Sequence, residues 1–514
     1  MDFPRRYDAV VVGGGNGGMT AACRLAVDGY KVLLLERHNI LGGFSTSFVR
    51  GRFEFEASLH ELCQVGPEDN PGNVRQLFDD LGVQVEWLRI PEAYRLILSE
   101  TGVDAKMPFG VPEYIDAMER YVPGSREVTT KFFDLCREIC DALAYIGKTK
   151  GKGSKSEMMK RFPNFLKTAA YSVEDVCRSL GMSQAVKNIL YAYWCYLSIP
   201  MDRMNMTLFG AMFYFFLIQG AYIPRCRSTE FALAVEKRIR DAGGTVELGA
   251  EVKKIFVENG RVVGVQTASG ERVGTSQVVC NASPTAAYLD MVEPASACPL
   301  EAKRWLGARS ESLAGFVVFL GLDASPDELG LTDYSYFVYR DMDTNRLYDS
   351  FKTLDRPQVQ ATVCLNRAVP DCSPPGTSIL SFTVLHKPSA WDGVKLEDYF
   401  DRKRRIADWL IEDFEKATGV SVRDHIEEIE IAAAPTYARY TGAPGGIIYG
   451  YETDSWDATL PRTMMMDEDE IIKGLKFASG YGSRTLGFSS ALIDGQTKAL
   501  LVERDLRAER EAKA

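Results

Sequence analysis

Several features that define other classes of protein are missing from this sequence of 514 residues. The longest uncharged apolar run, at residues 208–218, is too short for a membrane-spanning helix, which needs about 20 residues. Positive charge is not in excess, because 60 Lys and Arg stand against 70 Asp and Glu, a net charge of −10. This balance argues against nucleic acid as a partner, since phosphate neutralisation requires a basic surface. We expect a cytoplasmic protein, because the charged N-terminus includes no signal-peptide apolar region.

Histidine is scarce, and the eleven cysteines follow no metal-binding pattern. No CxxC pair and no Cys/His cluster has the spacing of a zinc site, so we expect no bound metal. Cys136 and Cys140 lie four residues apart on one face of a predicted helix, but two ligands are too few for a structural metal site. We interpret the cysteines as reduced residues of the core.

A glycine-rich motif near the N-terminus predicts a dinucleotide-binding site. A short apolar strand, the pattern G-x-G-x-x-G and a helix-periodic segment follow one another there. Gly13 makes the tight turn, Gly15 lets the backbone approach a pyrophosphate, and Gly18 lets the helix pack on the strand. The pyrophosphate would lie at the helix N-terminus, where N–H groups face it. Glu36 ends the next strand, where a ribose hydroxyl needs a carboxylate. A ligand-free glycine turn is the alternative.

A second glycine pair, Gly42-Gly43, favours FAD over NAD as the nucleotide. A plain nicotinamide-binding unit does not require such a pair after the acid. Together with the following Ser45, the pair resembles the FAD loop of the phytoene desaturase, carotenoid isomerase and retinol saturase family. The segment FEASLH resembles the next motif of that family, with Glu56 in place of Asp and Ser58 in place of Gly.

The resemblance implies FAD as the cofactor and a set of residues around it. Val252 would meet the adenine through its backbone, and Ala282 would begin the return to the nucleotide domain. The last unit would end in a helix that begins near Gly487 and points its N-terminus at the flavin. The implied cofactor-binding residues are Gly13, Gly15, Asn16, Gly18, Glu36, Arg37, Gly42, Gly43, Phe44, Ser45, Val252, Ala282, Gly482 and Gly487.

The chain differs from the family pattern at residues whose charge or polarity would affect a flavin. The family usually has glycines where this chain has Cys226 and Arg227, and Gly-Asp where this chain has Ser479-Gly480. Arg227 and Arg484 would therefore bring positive charge towards the flavin.

One of the four histidines lies in the segment expected beside the flavin. His60 titrates near neutrality in its unperturbed state, so it can move a proton during hydride transfer, and a purely structural role is the alternative. The candidate catalytic residues are His60, Arg227, Glu56 and Tyr222, with Glu61 as a further candidate.

The element pattern predicts an α/β protein of two interleaved domains. One is a glutathione-reductase-like, Rossmann-type FAD domain, and the other is a substrate domain of antiparallel sheet plus a helical lid. Residues 90–215 read as mainly helical, and four β-rich runs between residues 314 and 386 predict the sheet. We expect the FAD domain at residues 1–90, 220–295 and 455–514, and the substrate domain at residues 91–219 and 296–454.

Two segments bear on the substrate and its surroundings. Residues 191–220 are dense in aromatic residues and Met, which suits either the wall of an apolar tunnel or a buried core helix.

The segment that begins at Lys148 and ends at Arg161 holds six basic residues and one acid. We hypothesise that this segment makes a peripheral contact with anionic lipid, and a solvated loop is the alternative.

The resemblance implies an FAD-dependent oxidoreductase. It would desaturate or saturate a carbon–carbon bond of a hydrophobic substrate (an isoprenoid, a carotenoid-like molecule or another lipid) by hydride transfer to or from flavin N5. One alternative is a non-redox isomerase or hydratase that needs reduced flavin, and another is a non-catalytic flavin- or lipid-binding protein. Only one nucleotide fingerprint is evident, so we expect an external electron donor or acceptor.

Overall fold

The computed structural model describes residues 2–149, 151–197, 199–453, 470–482 and 487–512. A parallel five-stranded sheet draws its strands from three distant parts of the chain. Their spatial order is Thr245–Glu247, Val32–Leu35, Ala9–Val12, Val278–Cys280 and Leu475–Phe477. The three central strands are buried along their whole length, as a parallel sheet covered on both faces requires. The strand order reverses between Ala9–Val12 and Val278–Cys280, the place where such sheets bind ligands.

Two helices of this unit pack closely enough to exclude side chains between them. The first, Asn16–Val27, follows the first strand of the parallel sheet, and the last, Phe488–Glu511, closes the described chain. A Cβ on Gly495 would collide with the carbonyl oxygen of Gly17, and Thr20 Oγ1 donates a hydrogen bond to the carbonyl oxygen of Leu492 at 2.9 Å. The N-terminal ends of both helices are therefore held at the same edge of the sheet.

A second five-stranded sheet flanks the nucleotide unit. Its strands lie in the order Arg5–Arg6, Arg272–Gly274, Arg261–Thr267, Val252–Glu258 and Val292–Glu293. Asn259 and Gly260 connect two of these strands with φ angles of 51° and 72°, which a tight hairpin turn requires at both central positions.

A seven-stranded sheet carries the β-rich runs of the second half. Its order is Ile426–Ala432, Ala314–Leu322, Ser378–His386, Val359–Cys364, Ser335–Tyr339, Tyr94–Leu98 and Val103–Met107. All neighbours are antiparallel except Ser335–Tyr339 and Tyr94–Leu98, which are parallel. The predicted antiparallel sheet is confirmed in its main part. The helical prediction for residues 90–215 is wrong at its start, because burial at Tyr94, Leu96, Leu98, Ala105 and Met107 follows the two-residue period of strands.

Helices cover one face of this sheet. One of them carries part of the aromatic segment and has a buried face and a cavity-lining face. On helix Met206–Gln219, the side chains of Phe209, Phe213 and Phe216 are fully buried in the core. The other side of the same helix lines a cavity. On this helix, the prediction of a core helix therefore holds for one face, and the prediction of a cavity wall holds for the opposite face. The other helices of this layer are Val111–Tyr121, Arg126–Lys148, Lys155–Arg161, Pro163–Thr168, Val173–Ser179 and Gln184–Leu190.

The remaining elements connect these layers. Two strand pairs are Ser47–Arg50 with Phe53–Glu56, and Trp87–Arg89 with Tyr222–Pro224. Further helices are Asn73–Leu81, Arg227–Asp241, Leu300–Gly307, Thr344–Ser350, Tyr399–Thr418 and Ala434–Thr441. Among the described residues no helix combines the length and apolarity needed to cross a membrane. The predicted domain bounds stay a prediction, and those at residues 454 and 455 lie outside the described residues.

Candidate functional site

Among the described residues, a cavity of about 1440 Å³ extends from the parallel sheet to the helical layer. Residues that follow strands of the parallel sheet line one end: Gly13, Glu36, Asn281 and Ser479. The helical layer and the seven-stranded sheet line the other end, through Tyr193, Leu208, Met212, Phe215, Val317, Ala361 and Thr383. A pocket for one small ligand is typically about 300–1,000 Å³. This cavity therefore has room for more than one ligand.

Two glycine loops meet at the nucleotide end of the cavity. The N–H of Gly42 donates a hydrogen bond to the carbonyl oxygen of Gly14 at 2.8 Å. Gly13 and Gly42 have φ angles of 91° and 117°, a region that favours glycine. A Cβ on Gly18 would collide with the carbonyl oxygen of Gly13. Each glycine thus permits a close backbone approach, which fits the backbone cradle that a dinucleotide pyrophosphate needs.

Glu36 is fixed at the edge of this cradle. Its buried carboxylate accepts hydrogen bonds from the N–H of Gly14 at 2.6 Å and from the N–H of His38 at 2.7 Å. Each carboxylate oxygen has two acceptor sites, so both oxygens retain capacity for a ribose hydroxyl.

Side chains take two of the N–H groups at the N-terminus of the first helix. The N–H of Gly17 donates to Ser479 Oγ at 3.2 Å, and the N–H of Gly18 donates to Asn281 Oδ1 at 3.1 Å. A bound pyrophosphate would compete with these side chains for the same donors. Sequence reasoning missed the role of Asn281, although its place directly after strand Val278–Cys280, where the strand order reverses, was a usable signal.

The C-terminal helix begins where the sequence predicts. Gly487 is its N-cap, and the next residues, including Ser489, line the cavity. Ser489 Oγ donates a hydrogen bond to the carbonyl oxygen of Cys63 at 2.6 Å, which ties the helix start to the segment after His60. The positive end of a helix dipole favours negative charge nearby. Arg484 lies outside the described residues.

The structure brings most of the expected cofactor residues to the cavity. Those that line it are Gly13, Gly15, Asn16, Glu36, Arg37, Gly43, Phe44, Val252, Ala282 and Gly487. The others lie behind this lining and hold it in place. Ser45 Oγ donates to Asn16 Oδ1 at 2.7 Å, and a Cβ on Gly482 would collide with the carboxylate of Asp494. Gly18 and Gly42 make the close backbone contacts described above.

His60 lines the cavity between the helical layer and the seven-stranded sheet. Its Nδ1 is 3.2 Å from the hydroxyl of Tyr196, and its Nε2 is 3.0 Å from Thr383 Oγ1. Burial lowers the pKa of His60 to about 4, so the imidazole is neutral at pH 7. A neutral ring with both nitrogens engaged suits a positioning role better than proton donation.

Burial shifts the pKa of the neighbouring Glu61 in the opposite direction to that of His60. Its Oε1 accepts a hydrogen bond from the hydroxyl of Tyr193 at 2.7 Å. Burial raises the pKa of Glu61 to about 8, so the carboxyl holds its proton at pH 7. Both residues line the cavity, but at pH 7 Glu61 holds a proton to donate whereas the His60 imidazole is neutral.

The other candidate catalytic residues lie away from the cavity lining. Arg227 forms a buried ion pair with Glu56 at 3.0 Å and donates to the carbonyl oxygen of Cys372 at 3.1 Å. The φ angle of Arg227 is 71°, which accounts for a glycine at this position in the family pattern. Tyr222 lies in a short strand, and its backbone exchanges hydrogen bonds with Leu62. We therefore interpret these three candidates as structural residues.

Comparison with known proteins finds one family model and several full-length relatives similar to this chain. A model of the NAD(P)-binding Rossmann-like domain matches residues 11–81. All-trans-retinol 13,14-reductase of Danio rerio is 24% identical over 98% of this chain and 88% of its own length. The chloroplastic prolycopene isomerase of Daucus carota is 25% identical over 86% of this chain and 71% of its own length. The chain is thus similar over most of its length to retinol 13,14-reductases and prolycopene isomerases.

A solved structure supports the fold assignment. A putrescine oxidase variant has a TM-score of 0.65 at 14% identity, over 97% of this chain and 99% of the other. The predicted fold class, a Rossmann-type unit combined with a sheet and a helical layer, is confirmed. The predicted resemblance to retinol saturases and carotenoid isomerases is confirmed, and the relatives are enzymes, as the sequence predicts for this chain.

Proposed function

We propose that this chain is an FAD-dependent oxidoreductase that saturates or desaturates a carbon–carbon bond of an elongated isoprenoid. The continuous cavity carries this proposal, because it joins a dinucleotide cradle to an apolar compartment. A flavin at the junction would meet a substrate in the same enclosed space. FAD supplies hydride chemistry, while the protein orients the substrate, excludes water and tunes the charge.

FAD fits the described residues better than a nicotinamide dinucleotide does. The second glycine loop at Gly42 and Gly43 lies against the first, and the N-terminus of helix Phe488–Glu511 opens on the same cavity. A reduced flavin is negatively charged, so the positive end of that helix dipole would stabilise it.

The apolar compartment supports an isoprenoid as the substrate. Its walls are mainly apolar and aromatic, from Tyr193, Leu208, Met212 and Phe215 on one side to the seven-stranded sheet on the other. The named relatives act on retinol and prolycopene, two polyenes, which supports a substrate of the same chemical class.

Flavin identification combined with anaerobic turnover tests the proposal. We expect purified protein to release FAD on denaturation. After reduction, the holoprotein should convert a retinoid or carotenoid to a product heavier by two hydrogen atoms while its flavin is oxidised. Protein that binds flavin and polyene but leaves every polyene unchanged in both redox states would be a carrier, and that result would contradict the proposal.

A flavin-dependent isomerase is the second candidate, and the match to prolycopene isomerase favours it. Such an enzyme needs reduced flavin but consumes no reductant. An anaerobic reaction with pre-reduced protein separates the two candidates. A product of unchanged mass with the flavin still reduced would identify an isomerase, whereas flavin oxidation with mass gain would identify a reductase.

We further propose a peripheral contact with anionic lipid through the basic segment. Lys152, Lys155 and Lys160 are exposed there, and Met159 is 68% exposed between them. The preceding helix, Arg126–Lys148, lines the cavity near its C-terminal end. Basic residues beside an exposed apolar side chain suit an anionic membrane surface. A lipid-held substrate would reach the cavity from this side.

Liposome flotation tests this contact. We expect co-flotation with anionic vesicles that is lost when Lys152, Lys155 and Lys160 are replaced by Glu. Matched replacements of three exposed lysines outside the segment, Lys237, Lys352 and Lys395, control for net charge and should leave flotation intact. Equal flotation of both triple variants would contradict the contact.

A further inference from the structure

A buried carboxyl with one unused oxygen lies beside the cavity. Glu61 Oε1 accepts the hydrogen bond from Tyr193, and Glu61 Oε2 is buried with no hydrogen-bond partner among the described residues. Buried polar atoms are nearly always hydrogen-bonded, so an unpaired one in a cavity-lining residue points to a bound partner.

The surroundings place Glu61 where the two ends of the cavity meet. Two residues further on, the carbonyl oxygen of Cys63 accepts a hydrogen bond from Ser489 at the start of the C-terminal helix. On the substrate side, Tyr193 lines the cavity, and its ring packs against the core residue Phe216 with 4.5 Å between ring centroids. Glu61 thus lies between the helix end expected to face a flavin and the aromatic wall of the apolar compartment.

We propose that Glu61 is the proton-transfer residue of the reaction, an inference that rests on the proposed function. In the saturating direction the carbon–carbon π bond breaks. One carbon receives a hydride, with both electrons, from the reduced flavin that acts as reductant. The other carbon receives the proton of the Glu61 carboxyl, and the carboxylate then regains a proton from solvent. In the desaturating direction one carbon would give its hydride, with both electrons, to the oxidised flavin, the Glu61 carboxylate would accept the proton of the other carbon, and the carbon–carbon π bond would form.

The groups around Glu61 keep the carboxyl neutral until it reacts. Burial raises its pKa to about 8, the hydrogen bond from Tyr193 opposes this increase, and the charge of Glu92 adds to it. The other titratable groups that face it are His60, Cys63, Cys195, Tyr196, Tyr334 and Tyr449. Within the described residues Glu61 has no ion-pair partner. A general acid with a pKa near the working pH is the state that catalysis requires.

Infrared difference spectroscopy detects the proton on the Glu61 carboxyl and does not require turnover. In flavin-loaded protein we expect a protonated carboxyl band that disappears with a midpoint near pH 8 and is absent in Glu61→Gln. Tyr193→Phe should raise the midpoint, because the hydroxyl stabilises the carboxylate. Glu92→Gln, which alters a buried carboxyl outside the cavity lining, should retain the Glu61 band. A Glu61 midpoint in the ordinary carboxyl range, or no Glu61-dependent band, would overturn the proposal.

Turnover separates this inference from the proposed function. We expect Glu61→Gln to keep its flavin and its affinity for the polyene while turnover falls by about 100-fold or more, the usual effect of a lost acid–base group. An active wild-type protein whose Glu61→Gln variant is equally active would overturn the role of Glu61 alone. A wild-type protein that converts no polyene would overturn the proposed function, and this inference with it.

Discussion

At Gly18 the spacing between the first helix and the glycine turn leaves no room for a side chain. A methyl group there would collide with the carbonyl oxygen of Gly13, a backbone atom that cannot move without distorting the nucleotide cradle. We expect Gly18→Ala to weaken FAD binding by about tenfold or more, about 1.4 kcal/mol. Titration of apoprotein with FAD, followed by flavin fluorescence, measures this change.

Gly307→Ala is the matched control for that substitution. Gly307 ends a helix and has open space around its Cβ position, so the variant should bind FAD as the wild type does. Equal affinities for Gly18→Ala and the wild type would contradict the account of the cradle.

The second prediction at the scale of single residues concerns the charge of His60. Burial lowers its pKa to about 4, from 6.5 for a free side chain, so the folded protein should show a neutral imidazole throughout the neutral range. NMR of protein labelled at histidine measures this, with His60→Gln assigning the signal. A titration of that signal near pH 6.5 would show that the ring is hydrated and available for proton transfer.

Single residues were predictable where the backbone alone decides their identity. The glycines at 13, 15 and 18 follow from the geometry of a strand, a turn and a helix, and all three serve the cradle. Arg227 was not predictable as a structural residue, because its partner Glu56 is 171 positions away. The preference for Glu61 over His60 likewise depends on burial and on a hydrogen bond from Tyr193, neither of which a local motif reveals.

At the scale of elements, the Arg227–Glu56 ion pair joins strand Phe53–Glu56 to helix Arg227–Asp241. Removal of one member of a buried pair leaves an uncompensated charge, which typically costs about 3–5 kcal/mol. We expect Arg227→Met to lower the free energy of unfolding by that amount in urea titrations. The double variant Arg227→Met/Glu56→Gln should regain more than half of the loss, because it removes the buried charge.

The same variants decide between a structural and a catalytic role for this pair. Folded, flavin-loaded double variant should retain most of its turnover, since neither side chain lines the cavity. Wild-type stability combined with a large loss of turnover would restore the catalytic assignment of Arg227 and Glu56.

Helices and strands were predictable where the local sequence pattern and the order of elements along the chain indicate the same structure. The strand, glycines and helix of the nucleotide unit form a contiguous motif, and the return strand Val278–Cys280 lies next to Ala9–Val12 as expected. The hairpin of Tyr94–Leu98 and Val103–Met107 was missed, because a helical stretch follows it and its partner strand, Ser335–Tyr339, comes more than 200 residues later. Pairing over such a distance leaves little trace in the local sequence.

For the whole molecule, the shared cavity predicts that two ligands stabilise the protein together. A ligand that binds only the folded state adds about 2.7 kcal/mol at 100 times its dissociation constant. We expect FAD to raise the melting temperature of apoprotein and a long polyene to raise it further in the presence of FAD. A polyene that displaces FAD, with a lower melting temperature, would contradict a cavity that holds both.

The cavity also joins features that the sequence presents separately. The glycine loops, the segment around His60 and the aromatic helix Met206–Gln219 are far apart in the chain, and the composition alone does not divide core from cavity wall. Folding places them around one space, with Glu61 where the nucleotide and substrate ends meet.

A single anaerobic turnover tests the central claim, that flavin and polyene react inside one cavity. Pre-reduced holoprotein is mixed with one equivalent of retinoid or carotenoid, and flavin absorbance and product mass are followed in the same sample. We expect one flavin to be oxidised for each polyene that gains two hydrogen atoms or, with oxidised holoprotein, one flavin to be reduced for each polyene that loses two. Flavin that keeps its redox state in both experiments, with every retinoid and carotenoid recovered unchanged, would contradict the claim.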